Sequence, residues 1–335
     1  MSDATSETFD ALDTHAIHDT LYRRASPVWR ERLRMFRATH TPQSLTVDGQ
    51  RWGYLAGGQG PRLALLLHGS ESDAESLFGA IALLERSYRV LAPTYPADAD
   101  SIEQVCHGLA TLIESTGAPA LVIGYSMGGY LAQALAARRP DLVARLALCN
   151  TGGPARSALR MVRAQYALFA ATPGPLLLSA LRAGAAATLW RESPGLSSLD
   201  HAFWRAYLAE MTTRLCKRAM LAHGRLTTDF LRSRLDPPTS LAREPGRVLI
   251  LNAMGDHTIE AEERDLLRIL YPAADIRPLS ARGHLSFLTQ PEPFIAAIER
   301  KPTQEASQAR GWSVDTEQRA DARLRQSMAS RSATQ

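Results

Sequence analysis

The sequence predicts an α/β protein, with a mostly parallel sheet covered by helices on both faces and an all-helical insertion past its middle. Two observations carry this. Short apolar runs at 62–67, 88–92, 120–123 and 146–149 alternate with helical stretches at 74–86, 101–115 and 130–138. Uninterrupted runs of that length suit strands buried on both faces, and strand–helix alternation is the pattern of a parallel sheet. Residues 154–240 then offer helical stretches, at 155–169, 176–190 and 201–214, but no convincing strand. The alternation resumes with strands at 247–252 and 275–279 and helices at 260–270 and 293–298. The simplest place for the insertion is a cap over the carboxyl edge of the sheet.

At the start of the chain, residues 1–19 show little apolar periodicity. A helix is expected over 27–39, with Trp29, Leu33 and Phe36 on one stripe and Arg30, Arg32, Arg34 and Arg37 around it. A basic amphipathic helix this short is expected to dock on its own domain rather than on a membrane. Strands at 44–47 and 51–55 flank Asp48-Gly49, a strong hairpin signal. The expected organisation is an extension over 1–43, a main domain over 44–300 that contains the 154–240 cap, and a tail over 301–335. The tail is polar and mixed in charge, so it reads as disordered or as a weak helix at 316–328.

Composition narrows the function. A hydrophobic fraction of 45% supplies a sizeable core, and a net charge of +4 is too small to argue for nucleic acid. Cys106, Cys149 and Cys216 form an odd, scattered set, which suits free thiols in a reducing compartment. The first ten residues are polar and acidic, unlike a signal peptide. The apolar stretch 171–187 is interrupted by Pro173, Gly174, Pro175, Arg182 and Gly184, so no stable membrane insertion is expected. The expected location is therefore the cytoplasm. No His, Cys, Asp and Glu cluster has zinc spacing, Asp98-Ala99-Asp100 lacks the rest of a calcium loop, and a dinucleotide fingerprint is absent. Gly57-Gly58-Gln59-Gly60-Pro61 has no lysine and precedes a strand, so it reads as a turn and not as a phosphate loop. No cofactor or metal is expected.

The chemistry centres on Gly124-Tyr125-Ser126-Met127-Gly128, a G-x-S-x-G motif between a predicted strand and a predicted helix. A serine in a strained turn needs neighbours without side chains, because backbones crowd there. The turn lifts the hydroxyl out of the sheet edge and sets a helix N-terminus beneath any oxyanion that forms. Read blandly, the serine caps the helix. A serine hydroxyl needs a base, and the base needs an orienting acid. Both should lie on loops after strands, where ligands gather in open α/β sheets. Asp256, in Gly255-Asp256-His257, follows the strand at 247–252, and His284, in Gly283-His284-Leu285, follows the last strand. Ser126 is then the nucleophile, His284 the general base and acid, and Asp256 the orienting group. His257 is an alternative base. The competing readings are a helix N-cap for Asp256 and a packed loop histidine for His284. For the two oxyanion donors, Met127 N–H comes with the turn, and Ser70 N–H, or less readily that of Glu71, comes from the loop after 62–67. His68 reads as a structural support. Leu176 to Leu178, Phe203, Trp204 and Tyr207, with Glu71 and Tyr125, are candidate lining of an acyl pocket. Core packing of the cap is the favoured reading of Leu176 to Leu178, Phe203, Trp204 and Tyr207.

These residues resemble the α/β-hydrolase fold over 44–298. The matching marks are Leu67-His68-Gly69, Gly124-Tyr125-Ser126-Met127-Gly128-Gly129, Gly255-Asp256 and the segment 283–288. The resemblance implies that fold and a Ser-His-Asp site acting on a small-molecule acyl substrate, of the carboxylesterase or thioesterase kind. It leaves substrate open among esterases, thioesterases, peptidases, lactonases, C–C hydrolases and acyltransferases. One departure is at 94–101, where many members carry a glycine-rich Asp-x-x-Gly-x-Gly-x-Ser turn and this chain has no glycine. Residues 88–96, Leu148-Cys149-Asn150 and Leu270-Tyr271-Pro272 are similar to the maspardin branch, which is associated with protein binding. That similarity implies the alternative of a binding protein with a protein partner. The presence of all three triad residue types favours a working enzyme.

Overall fold

The structure is a computed structural model and describes residues 21–193 and 195–300. The expectations for 1–19 and for the tail at 301–335 fall outside the described residues. The first helix, α1 (Pro27–Thr39), buries Trp29, Leu33 and Phe36 as the stripe predicts. Strands β1 (Gln43–Val47) and β2 (Gln50–Gly57) pair antiparallel around Asp48 and Gly49. Their φ values of 49° and 78° are those of a hairpin turn whose twist matches the strands.

Strand β3 (Arg62–Leu67) leads through a 3₁₀ turn (Ala74–Leu77) to α2 (Phe78–Leu84), where the sequence predicts one unbroken helix. Asp73 starts the 3₁₀ turn, its carboxylate accepting the Ser76 N–H at 3.1 Å. Next come β4 (Tyr88–Thr94), α3 (Ile102–Glu114), β5 (Ala120–Tyr125), α4 (Met127–Arg138) and β6 (Val143–Cys149). Four long helices follow: α5 (Arg156–Ala171), α6 (Gly174–Glu192), α7 (Ser198–Arg214) and α8 (Lys217–Arg232). A short α9 (Thr239–Ala242) leads into β7 (Val248–Met254), α10 (Ala261–Leu270), β8 (Asp275–Arg282), α11 (Ser286–Thr289) and α12 (Pro291–Glu299).

The eight strands form one sheet in the order β1-β2-β4-β3-β5-β6-β7-β8. Pairing is parallel from β4 across to β8, and β2 joins β4 antiparallel. Alternate strand residues feed two separate cores. Ala64, Leu66, Leu121 and Ile123 pack with α1, α2, α7 and α12 on one face. Leu63, Leu65, Leu67, Ala120 and Val122 pack with α3, α4 and α8 on the other. The period-two geometry of a strand requires this division. The helical segment after β6 is thus rooted in both cores, α7 in one and α8 in the other, and straddles the sheet edge. No described helix is long and apolar enough to cross a membrane.

The chain leaves β3 toward β4 on one side and returns to β5 on the other, so the loops after β3 and β5 diverge. That is the switch point at which open α/β sheets hold their ligands. Both glycine-bearing loops singled out in the sequence lie there.

Candidate active site

Ser126 sits between β5 and α4 with φ 53° and ψ −124°, in the left-handed half of backbone space that an L-residue enters only under constraint. The constraint is visible at the glycines. A Cβ on Gly124 would come within 2.5 Å of Gly128 O, and one on Gly128 within 2.1 Å of Leu67 O. Any side chain at either position would push the turn off the sheet. The backbone is held on both sides: Ser126 N–H donates to Cys149 O at 3.1 Å, and Thr151 Oγ1 donates to Ser126 O at 2.8 Å. The serine side chain does not cap α4.

Instead, Ser126 Oγ lies 2.9 Å from His284 Nε2, and His284 Nδ1 lies 3.0 Å from Asp256 Oδ2. Asp256 is on the loop after β7 and His284 on the loop after β8, so three strand ends converge on one point. The arrangement has the hydroxyl donating to Nε2 while Nδ1–H donates to the carboxylate. The other carboxylate oxygen of Asp256 accepts from Thr258 N–H at 2.9 Å and Ile259 N–H at 3.3 Å. Burial opposes ionisation of Asp256, but the His284 hydrogen bond and charge, with those two N–H groups, outweigh it. Its carboxyl is held below the ordinary aspartate value. The cap of α10 is Glu260, which forms a capping box with Glu263, so Asp256 is not the helix cap. His257, the alternative base, is exposed.

The loop after β3 lies against the serine: a Cβ on Gly69 would come 3.2 Å from Ser126 Cβ. Among the described residues, the backbone N–H groups of Ser70 and Met127 meet no protein acceptor. Glu71 differs, because its N–H donates to His223 Nδ1 at 3.0 Å. Of the two loop donors weighed from sequence, Ser70 is therefore the free one. The Glu71 carboxyl accepts from Tyr166 OH at 3.2 Å. Burial raises the Glu71 carboxyl above the ordinary glutamate value, with the Tyr166 bond acting against it. His68 is buried beneath the loop. Its Nδ1–H donates to Gly69 O at 2.7 Å, its ring stacks on Tyr95 at 4.0 Å, and burial lowers its pKa to about 4.

The proposed pocket aromatics lie elsewhere. Phe203, Trp204 and Tyr207 are fully buried and pack with Tyr22, Trp29 and Phe78. They belong to the core that joins α7 to α1 and α2, because rings of this size bury much apolar area. Leu176 is exposed and Leu177 buried. Tyr125 lies under the histidine, with ring centroids 5.5 Å apart, and donates its hydroxyl to His284 O at 3.1 Å.

Asn150 was not singled out for the site, although its position is central. It is buried at the end of β6, with φ 44°. Its Nδ2 donates to His284 O at 3.0 Å and Ser286 Oγ at 3.2 Å, and its Oδ1 accepts from Ala253 N–H at 2.9 Å. One amide thus ties the base-bearing loop to β7, the strand that leads to the acid. Tyr130 and Glu263 form a second tie, at 2.7 Å, between α4 and α10. An Asn just past a strand end is the signal that could have flagged Asn150. His223 carried none, since it sits inside a helical stripe.

A strained serine turn at the switch point, with a histidine and an aspartate from later strand ends, defines a hydrolase-type α/β site. The chain matches the model of the Alpha/beta hydrolase family over residues 64–297 and belongs to that family. It is 26% identical over 289 residues to an uncharacterized protein of Mycobacterium tuberculosis, covering 78% of this chain and 81% of that one. Among solved structures, it is similar to a hydrolase from Pseudomonas aeruginosa, with TM-score 0.61, 21% identity, and coverage of 78% of this chain and 97% of that one. It is also similar to the enol-lactonase from Burkholderia xenovorans, with TM-score 0.61, 22% identity, and coverage of 76% and 98%. At such identities the structural likeness speaks to the fold. The family membership carries no support for the maspardin branch in particular.

Proposed function

We propose that the protein is a serine hydrolase that cleaves an ester, thioester or related acyl bond of a small molecule through an acyl-enzyme. The observation that carries this reading is the Ser126–His284–Asp256 relay at 2.9 and 3.0 Å, with the serine held in a left-handed turn. Ser126 Oγ attacks the acyl carbon while its proton passes to His284 Nε2. The resulting oxyanion faces the N–H groups of Met127 and Ser70. The imidazolium, held by Asp256, returns the proton to the leaving alcohol or thiol as the C–O or C–S bond breaks. Water then repeats the sequence against the acyl-enzyme, with His284 taking its proton, and frees the acid and the serine. The proposal includes a reducing, cytoplasmic setting, which suits the buried free thiols of Cys106 and Cys149.

Labelling with a fluorophosphonate probe tests the reading. Wild type should label at one site, and both Ser126→Ala and His284→Ala should abolish labelling while remaining folded. Folded wild type that does not label would refute an activated serine. A labelled protein would next be screened on esters and thioesters of graded chain length.

A further inference from the structure

The loop that carries Ser70 is held from two directions. From the sheet side, Tyr95 OH donates to His68 O at 3.0 Å, and His68 Nδ1–H and Ser72 Oγ reach Gly69 O at 2.7 and 3.0 Å. From the helical segment, Tyr166 on α5 reaches the Glu71 side chain, and His223 on α8 reaches the Glu71 backbone. Of these side chains, His223 alone accepts a main-chain N–H. Glu71 has φ 54°, a conformation that strains an L-residue and lasts only when its surroundings over-determine it.

We propose that His223 is a positioning residue for the oxyanion loop: by accepting the Glu71 N–H it holds the left-handed turn that leaves Ser70 N–H as the loop's free donor beside Ser126. This rests on the serine hydrolase reading above. The anchor itself is firm. α8 packs on α4, the helix that starts at the serine turn, with Phe230 stacked on Tyr130 at 4.4 Å. Gly224, next to His223, lets the Tyr166 ring approach, since a Cβ there would come within 2.3 Å of it. His223 is therefore fixed relative to the nucleophile and reaches across 152 residues of sequence to the Glu71 N–H, one residue past the second oxyanion donor. Its acceptor role needs an unprotonated Nδ1. Burial, helped by the neighbouring His68, lowers its pKa to about 3, so the lone pair persists over the working range. The helical segment would thus do more than cover the site, because the donor pair is complete only while α8 is docked.

The test is the kinetics of phosphonylation, in which Ser126 Oγ bonds to phosphorus, fluoride leaves and the phosphoryl oxygen depends on the oxyanion donors. His223→Gln keeps a polar side chain but carries its oxygen one bond too far, whereas His223→Asn sets an oxygen near the place of Nδ1. The expected result is a maximal inactivation rate about 10²-fold lower for His223→Gln with near-unchanged probe affinity, and recovery of most of that loss in His223→Asn. A His223→Gln rate equal to wild type, or His223→Asn no faster than His223→Gln, would overturn the proposal. Hydrogen exchange on the unmodified protein is a check independent of either variant folding. The Glu71 amide should exchange much more slowly than that of Ser70, and equal rates would overturn the proposal too. Failure of wild type to label at all would instead strike the serine hydrolase reading.

Discussion

At the residue scale, the site depends on groups whose value is positional. Asn150 makes bonds to both the His284 loop and the end of β7 from one buried amide. Asn150→Leu keeps the branched shape of the side chain but takes the acceptor from Ala253 N–H, while His284 O keeps the Tyr125 hydroxyl. Orphaning buried polar groups costs about 1–3 kcal/mol each. Urea melts should show a loss of that order, and labelling of the folded fraction should slow because the imidazole is less well held. Asp256→Asn is expected to act differently. The Asx-type bonds from Thr258 and Ile259 can still be accepted, so the fold should survive. The amide, however, favours the wrong imidazole tautomer, and the labelling rate should drop by about 10⁴. An Asp256→Asn rate near that of wild type would show that another acid orients the base.

At the element scale, α1 is clamped to the body of the protein. Trp29 meets Phe78, Phe203 and Trp204 at centroid distances of 5.8, 5.9 and 4.9 Å. Half-buried charges close the rim: Arg37 bonds Glu75 and Glu210 at 2.7 and 2.5 Å, and Arg214 bonds Asp73 at 2.7 Å. These pairs join α1, the 3₁₀ turn and α7. Trp29→Ala removes the ring that α1 packs against α2 and α7 and should destabilise by about 3–5 kcal/mol, read from urea midpoints. A loss below about 1 kcal/mol would mean that α1 is peripheral. The stripe of α1 was legible because Trp29, Leu33 and Phe36 are apolar at helical spacing. The stripe of α8 was not, because its buried face includes His223, Gly224 and Thr227. His223 meets the β3 loop and Gly224 the Tyr166 ring, both far away in sequence.

At the scale of the whole molecule, two histidines are folded in as neutral groups. Burial lowers His68 to about 4 and His223 to about 3, from an ordinary value of 6.5. As pH falls below about 6.5, the unfolded chain binds protons at both positions and the folded chain does not. Stability should therefore decline progressively from about pH 6.5, to about pH 4 for the His68 contribution and about pH 3 for that of His223. Melting temperatures across that range would check it. For these two residues the sign is opposite to that of a paired histidine, whose stabilisation is lost as pH rises. A flat profile between pH 6.5 and 5 would show that both rings are open to solvent.

The elements of the sheet and the reactive residue types were written locally. Apolar runs mark strands, G-x-S-x-G marks a turn that needs absent side chains, and an aspartate and a histidine after later strands complete the set. Such features depend on neighbours in the chain, so they survive in a one-dimensional reading. The strand order that opens the crevice between β3 and β5 came only from the tertiary structure. So did the rooting of the helical segment in both cores, the seating of Phe203, Trp204 and Tyr207 against α1 and α2, and the links made by Asn150 and His223. Each of these is a contact between residues far apart in sequence. The physical reason is that such contacts are selected by packing and by the demand that every buried N–H and C=O find a partner, and neither condition is local.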